Sequence, residues 1–130
     1  MRIAMYYSNR DVRLEEMPVS QIGPGEVLMR VEASGICGTD LLEWYRLHKA
    51  PLVLGHEVAG VIAAVGKGVK RYKAGDRVCA AHHVPCNTCH YCLCGHHTVC
   101  DTLRKTNFDP GGFAEYVRLP RINVEQGLFP

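Results

Sequence analysis

Cys86, Cys89, Cys92 and Cys100 stand in the pattern C-x2-C-x2-C-x7-C, which gathers four thiols into a stretch too short for many other uses. Side chains at two-residue intervals meet at one point when the backbone makes a tight turn, and four thiolates complete a tetrahedral zinc shell. The segment from about residue 84 to 102 is therefore expected to fold as a lobe around one structural zinc ion. Such a shell leaves no open coordination position, so metal chemistry must lie elsewhere. Cys37 and the adjacent pair His56-Glu57 offer a thiolate, an imidazole and a carboxylate for it. His82, His83, His90, His96 and His97 crowd the cysteine segment and leave a mixed Cys3His shell as an alternative composition. Cys94 reads as a spare thiol, and Cys79 as a small buried side chain in a strand.

The same cysteines admit a rival reading. C-x2-C-x2-C also opens the cluster motif of bacterial ferredoxins, which would make the chain an iron-sulfur electron-transfer protein. Here the fourth cysteine follows after seven residues and no proline comes after it, which weakens that case. A zinc-stabilised binding module without catalysis is the other alternative, and it leaves Cys37, Thr39, Asp40, His56 and Glu57 unexplained.

Bulk properties narrow the class further. A chain of 130 residues, 47% hydrophobic and 22% charged, is expected to form one globular domain with its own core. The net charge of +2 comes from interspersed residues, which gives no footprint for nucleic acid. No apolar run approaches the length of a membrane span, and the first apolar residues give way at once to Ser8-Asn9-Arg10, unlike a secretory signal. Seven cysteines, odd in number and tightly spaced, favour metal in a reducing compartment over disulfides, and so a cytoplasmic protein.

Short β-type runs punctuated by Gly and Pro predict strands at Ile3 to Tyr7, Val12 to Glu16, Val27 to Ala33, Val58 to Val65 and Arg77 to Ala80, with a return strand at Gly112 to Leu119. In the third, Val27, Met29, Val31 and Ala33 are expected on one buried face. Gly23-Pro24-Gly25 supplies the turn before it. One helix is predicted over Leu41 to Arg46, capped by Thr39 or Asp40, with Leu41, Trp44 and Tyr45 on one face. This is a mainly β chain with short helices, a partly open β-barrel carrying the zinc lobe. Its apolar end, Gly127-Leu128-Phe129-Pro130, reads as the approach to another element and hence as part of a longer protein.

The order of motifs Pro24-Gly25-Glu26-Val27, Gly35-Ile36-Cys37-Gly38-Thr39-Asp40, Gly55-His56-Glu57, Gly75-Asp76-Arg77-Val78, the four cysteines and Gly111-Gly112-Phe113-Ala114-Glu115-Tyr116 resembles that of the zinc-dependent medium-chain dehydrogenases, the alcohol, polyol and threonine dehydrogenase group. The resemblance covers essentially the whole chain and implies a GroES-like catalytic domain over residues 1–130. A Rossmann domain binding NAD or NADP is then expected downstream. It further implies that Cys37 and His56 are ligands of a catalytic zinc and that Glu57 binds it or exchanges with water. Thr39 matches the hydroxyl that takes the substrate proton, and Asp40 the carboxylate that orients the histidine. A remaining ligand is commonly supplied from beyond these residues. The implied substrate is a small alcohol or polyol, and the implied assembly of the full-length protein is a homo-oligomer, a dimer or tetramer. One departure stands out: many relatives carry a proton-relay histidine where this chain has Leu42. His48 nearby reads as a solvated surface residue.

Overall fold

The computed structural model describes residues Met1–Pro130. Two antiparallel sheets carry the fold. The smaller has the order β2-β1-β4, from β1 (Arg2–Ser8), β2 (Asp11–Glu16) and β4 (Leu52–Val53). The larger has the order β7-β3-β5-β6-β8, from β3 (Val27–Gly35), β5 (Glu57–Val65), β6 (Arg77–Ala81), β7 (Tyr116–Leu119) and β8 (Leu128–Phe129). Four short α-helices join or follow them: α1 (Glu43–Arg46), α2 (His90–Leu93), α3 (Asp101–Lys105) and α4 (Arg121–Gln126). No helix is long and apolar enough to cross a membrane.

Each predicted strand has a counterpart, with one correction of facing and one of extent. Val27 and Met29 are fully buried, as alternation requires, but Ala33 is exposed. A register shift lies between Val31 and Ala33 in the β3–β5 ladder. An extra residue inserted into a strand turns the remaining side chains to the opposite face, which alternation alone does not reveal. The predicted return strand is split. Only Tyr116–Leu119 pairs with β3. The preceding segment crosses to the small sheet, with Ala4 N–H donating to Phe113 O at 2.8 Å and Glu115 N–H to Arg2 O at 3.1 Å. This crossing joins the two sheets into the partly open barrel.

The predicted helix is also altered. Gly38–Leu41 form a 3-10 turn and only Glu43–Arg46 is α-helical. Asp40 lies inside the turn, its carboxylate accepting the Cys37 N–H at 3.0 Å. Leu41 and Trp44 are 66% and 77% exposed, so the expected apolar face packs on nothing in this chain. Polar anchors hold the segment instead: Asn9 Nδ2 donates to Leu41 O at 2.9 Å, and Glu43 accepts the Asn9 N–H at 3.0 Å.

The core is built by Val27, Met29, Val58, Ile62, Val117 and Leu119 from the centre of the large sheet, with Tyr72, Phe108 and Val124 closing its ends. Each large apolar side chain removed from water contributes about 1.5–3 kcal/mol. The apolar terminus belongs to this core. Leu128 is 2% exposed and its carbonyl accepts the Tyr72 hydroxyl. The turn before β3 has Pro24 followed by Gly25 at φ +80°, and Glu26 N–H donates to Gly23 O at 3.2 Å, as a type II turn requires. Cys79, expected inside, is exposed on β6, because its neighbours Val78 and Ala80 take the inward positions.

Candidate metal centres and the cavity beside them

Pairing of β3 with β5 brings the first cluster together. Gly35 at the end of β3 lies opposite Glu57 at the start of β5, so Cys37, just beyond one strand, meets His56 and Glu57 at the other. One ligand atom from each of Cys37, His56 and Glu57 lies within 4.8 Å of the others. Two glycines make room. A Cβ at Gly35 would fall on the Glu57 carboxylate, and Gly55 has φ +91° with the Phe113 nitrogen 2.7 Å from where its Cβ would stand. Gly55 thus serves the close crossing of residues 112–113, whose Gly112 N–H donates to Gly55 O at 2.7 Å. Replacing Gly55 with Ala combines strain at positive φ with a backbone clash and is expected to cost about 2–4 kcal/mol. Urea denaturation measures this directly.

Around the cluster, the His56 imidazole is flanked on both sides. Asp40 Oδ1 lies 3.6 Å from Nδ1, and the Thr39 hydroxyl lies 3.4 Å from Nε2. Arg46, which carried no motif signal, completes the arrangement. Its Nε donates to Thr39 O at 3.1 Å, and its terminal nitrogen donates to Thr39 Oγ1 at 3.3 Å and Asp40 Oδ1 at 3.5 Å. These partners lie only six and seven positions away, but the non-helical Leu42 between the 3-10 turn and α1, at φ −77° and ψ 82°, means that a continuous helix does not describe the contact. Asp40 is buried, and the Arg46 guanidinium and the Cys37 N–H supply its partners.

His82, grouped in the sequence with the histidines of the cysteine lobe, stands beside His56 instead. Its ring centroid is 5.6 Å from that of His56 and 4.9 Å from that of Phe108. Burial, then the nearby His83, pushes its pKa down to about 4, so the ring is neutral at neutral pH. The buried Asn123 fixes this end of β6 by donating to Ala81 O and His82 O, both at 2.9 Å.

The second cluster lies in the lobe. Cys86, Cys89, Cys92 and Cys100 place their sulfurs within 4.8 Å of one another. Cys86 Sγ is 4.0 Å from Cys92 Sγ and 3.7 Å from Cys100 Sγ. A tetrahedron with zinc–sulfur bonds of about 2.3 Å has edges of about 3.8 Å, so these residues fit a zinc ion. Asn87 adopts φ +58° between the first two cysteines, a conformation Asn tolerates better than most residues, and turns them toward one centre. Backbone amides point at the sulfurs, Cys89 N–H to Cys86 Sγ at 3.3 Å and Cys86 N–H to Cys100 Sγ at 3.4 Å. Hydrogen bonds, Thr88's first among them, draw the Cys86 thiol down to about 5, whereas burial pushes Cys92 up to about 12. Cys94 stays outside the cluster, exposed and about 4 Å from His90, and no histidine enters it.

Comparison with known proteins gives the family. Residues 23–126 match the alcohol dehydrogenase GroES-like domain, and the chain belongs to that family, the GroES-like domain of zinc-dependent medium-chain dehydrogenases. It is 43% identical over 118 residues to L-threonine 3-dehydrogenase of Bacillus velezensis, covering 85% of this chain and 34% of that protein. Among solved structures, galactitol-1-phosphate dehydrogenase from Escherichia coli superposes with a TM-score of 0.81 at 34% identity, covering 99% of this chain and 37% of that one. An alcohol dehydrogenase from Thermus sp. ATN1 gives 0.78 at 31% identity, covering 99% and 39%. The chain thus spans about a third of the length of the curated relatives it matches. The ferredoxin-like and purely structural readings are not favoured by these likenesses.

Proposed function

We propose that this chain is the catalytic domain of a cytoplasmic, zinc-dependent, NAD(P)-linked dehydrogenase that oxidises a primary or secondary alcohol or polyol to a carbonyl. A Rossmann domain downstream would bind the dinucleotide, and the full-length protein would be a homo-oligomer, a dimer or tetramer. The observation that carries this reading is the division of metal-competent residues into two clusters of different chemistry. One is an all-thiol set that closes on itself. The other mixes thiol, imidazole and carboxylate, with a threonine hydroxyl alongside.

In this reading Cys86, Cys89, Cys92 and Cys100 hold a structural zinc, while Cys37, His56 and Glu57 hold a catalytic one. A zinc ion bound by the latter supplies Lewis acidity that lowers the pKa of an alcohol, and hydride acceptance is the nicotinamide's own chemistry. The protein does the positioning. Asp40, facing Nδ1, holds the His56 ring in the tautomer that leaves Nε2 free to bind metal. Arg46 donates to the Thr39 oxygen, which leaves the hydroxyl proton turned away from the guanidinium and eases loss of a proton from this site. Leu42 offers no group to pass that proton onward, so its exit differs from a relay through a histidine at that position.

Elemental mass spectrometry on protein purified without added metal tests the reading. Zinc at one or two ions per chain supports it, whereas iron with matching sulfide overturns it. Asp40→Asn removes the anion facing His56 and is expected to weaken metal affinity at this cluster roughly 10- to 100-fold, leaving the lobe's zinc in place. Competition with a chromogenic chelator separates the two ions by affinity.

A further inference from the structure

Beside the mixed cluster lies a cavity of about 540 Å³, lined in part by His56 and Thr39. Its walls carry three permanent cations, Arg46, Lys49 and Arg104, against a single carboxylate, that of Asp40. Arg46 is committed to Thr39 and Asp40 by the bonds described above, and Asp40 is thereby neutralised. Lys49 and Arg104 remain. Neither takes part in any ion pair of the chain. Lys49 sits 3.9 Å from the Tyr45 ring centroid, which restrains its stem without neutralising its charge. Apolar walls from Leu52, Leu54 and Phe108 line the same space. Unpaired cations in a concave, partly apolar setting focus a positive potential.

We propose that this cavity receives the anionic end of the substrate, a phosphate ester or a carboxylate, and that Lys49 and Arg104 are the specificity-determining residues that select it. The inference rests on the dehydrogenase reading for where the hydroxyl lies. His56 belongs to both the metal cluster and the cavity wall, with the Thr39 hydroxyl of the same wall 3.4 Å from its Nε2, so a hydroxyl presented to the cluster leaves the rest of a small molecule among these cations. An uncharged alcohol would leave both cations without a counter-charge. An anionic one gains two charge-assisted hydrogen bonds.

Calorimetric titration of the zinc-loaded chain with glycerol, glycerate and glycerol 3-phosphate at low ionic strength tests this. At least one of the two anions is expected to bind roughly tenfold or more tighter than glycerol, and to weaken as salt is raised. Lys49→Gln and Arg104→Gln, both at exposed positions, should each reduce anion binding about five- to tenfold and leave glycerol unchanged. Lys70→Gln, in a separate basic cavity near Pro24, is the control for net charge and should change nothing. The preferred anion distinguishes phosphate from carboxylate. Equal binding of all three compounds, no binding of any, or an equal effect of Lys70→Gln overturns the proposal. So does ADP binding through Lys49 and Arg104 in preference to both small anions, which would assign these cations to the dinucleotide. Zinc content measured on the same sample separates the two readings. Zinc at both clusters without charge preference sinks only this inference, and charge preference in a chain that holds no zinc sinks only the dehydrogenase reading.

Discussion

A chain carrying Cys89→Ser is expected to lose the zinc proposed for the lobe and, with it, the fold of residues 84–105, while the barrel stays folded. The lobe has almost no apolar interior of its own. Leu93 is 74% exposed and Tyr91 50%, while its buried residues include Val84, Cys92 and Cys100. Two of those three are cluster cysteines, so a metal held by them would take the place of a hydrophobic core. Helices α2 and α3 have four and five residues, far below the length at which a helix is stable in water. Structural zinc contributes on the order of 10 kcal/mol in comparable small sites, and removing one of four ligands is expected to destabilise the lobe by several kcal/mol. Zinc content should fall by one ion per chain, and amide exchange across 84–105 should become fast while Val27, Met29 and Val117 remain protected. A metal chelator should reproduce the same pattern. Exposed Cys79→Ser provides the contrast, with expected changes within about 0.5 kcal/mol. Full protection of the lobe in Cys89→Ser would show that packing alone holds it.

Cys37→Ser has the opposite profile. The 3-10 turn after Cys37 is held by the backbone and by Asp40, with Asp40 N–H donating to Cys37 O at 2.9 Å and Cys37 N–H to the Asp40 carboxylate at 3.0 Å. Neither bond uses the thiol, and where the thiol faces the Asp40 N–H in the capping box a serine hydroxyl can take its place. A serine of nearly the same shape therefore preserves the turn, and the stability change is expected to stay within about 1 kcal/mol. Turnover by the protein joined to its cofactor domain should fall by about a thousandfold or more, since Lewis-acid stabilisation is worth several kcal/mol of barrier and each 1.4 kcal/mol is a factor of about ten. The paired measurement is thermal melting beside initial rates. Equal stability losses for Cys37→Ser and Cys89→Ser would sink the assignment of one cluster to chemistry and the other to structure.

Together these variants mark where sequence reading succeeds. The lobe cysteines are legible because ligand spacing is local: a turn of three residues brings Cys86 to Cys89 whatever the rest of the chain does. Cys37 and the pair His56-Glu57 were candidates by residue type and by the resemblance, yet their meeting depends on the Gly35–Glu57 register of a long-range strand pair. Arg46 carried no signal and His82 was grouped with the wrong cluster, because their places depend on the break at Leu42 before α1 and on how Asn123 pins the end of β6. The failures share a cause. Ala33 turned outward through a register shift, Cys79 turned outward through strand parity, and the Leu41–Trp44 face found nothing to pack on.

Local chemistry and period-two alternation thus determined, from the sequence alone, the strands, the turn at Pro24-Gly25 and the four-thiol lobe, because each depends on residues a few positions apart. The tertiary structure alone decided the crossing of residues 112–115 between sheets, the approach of Asp40 and Arg46 to His56, and the cationic cavity. The crossing joins residues about a hundred positions apart, and the others depend on how separate elements are set against one another, where the energy of sheet pairing and burial selects the geometry and local propensity is silent.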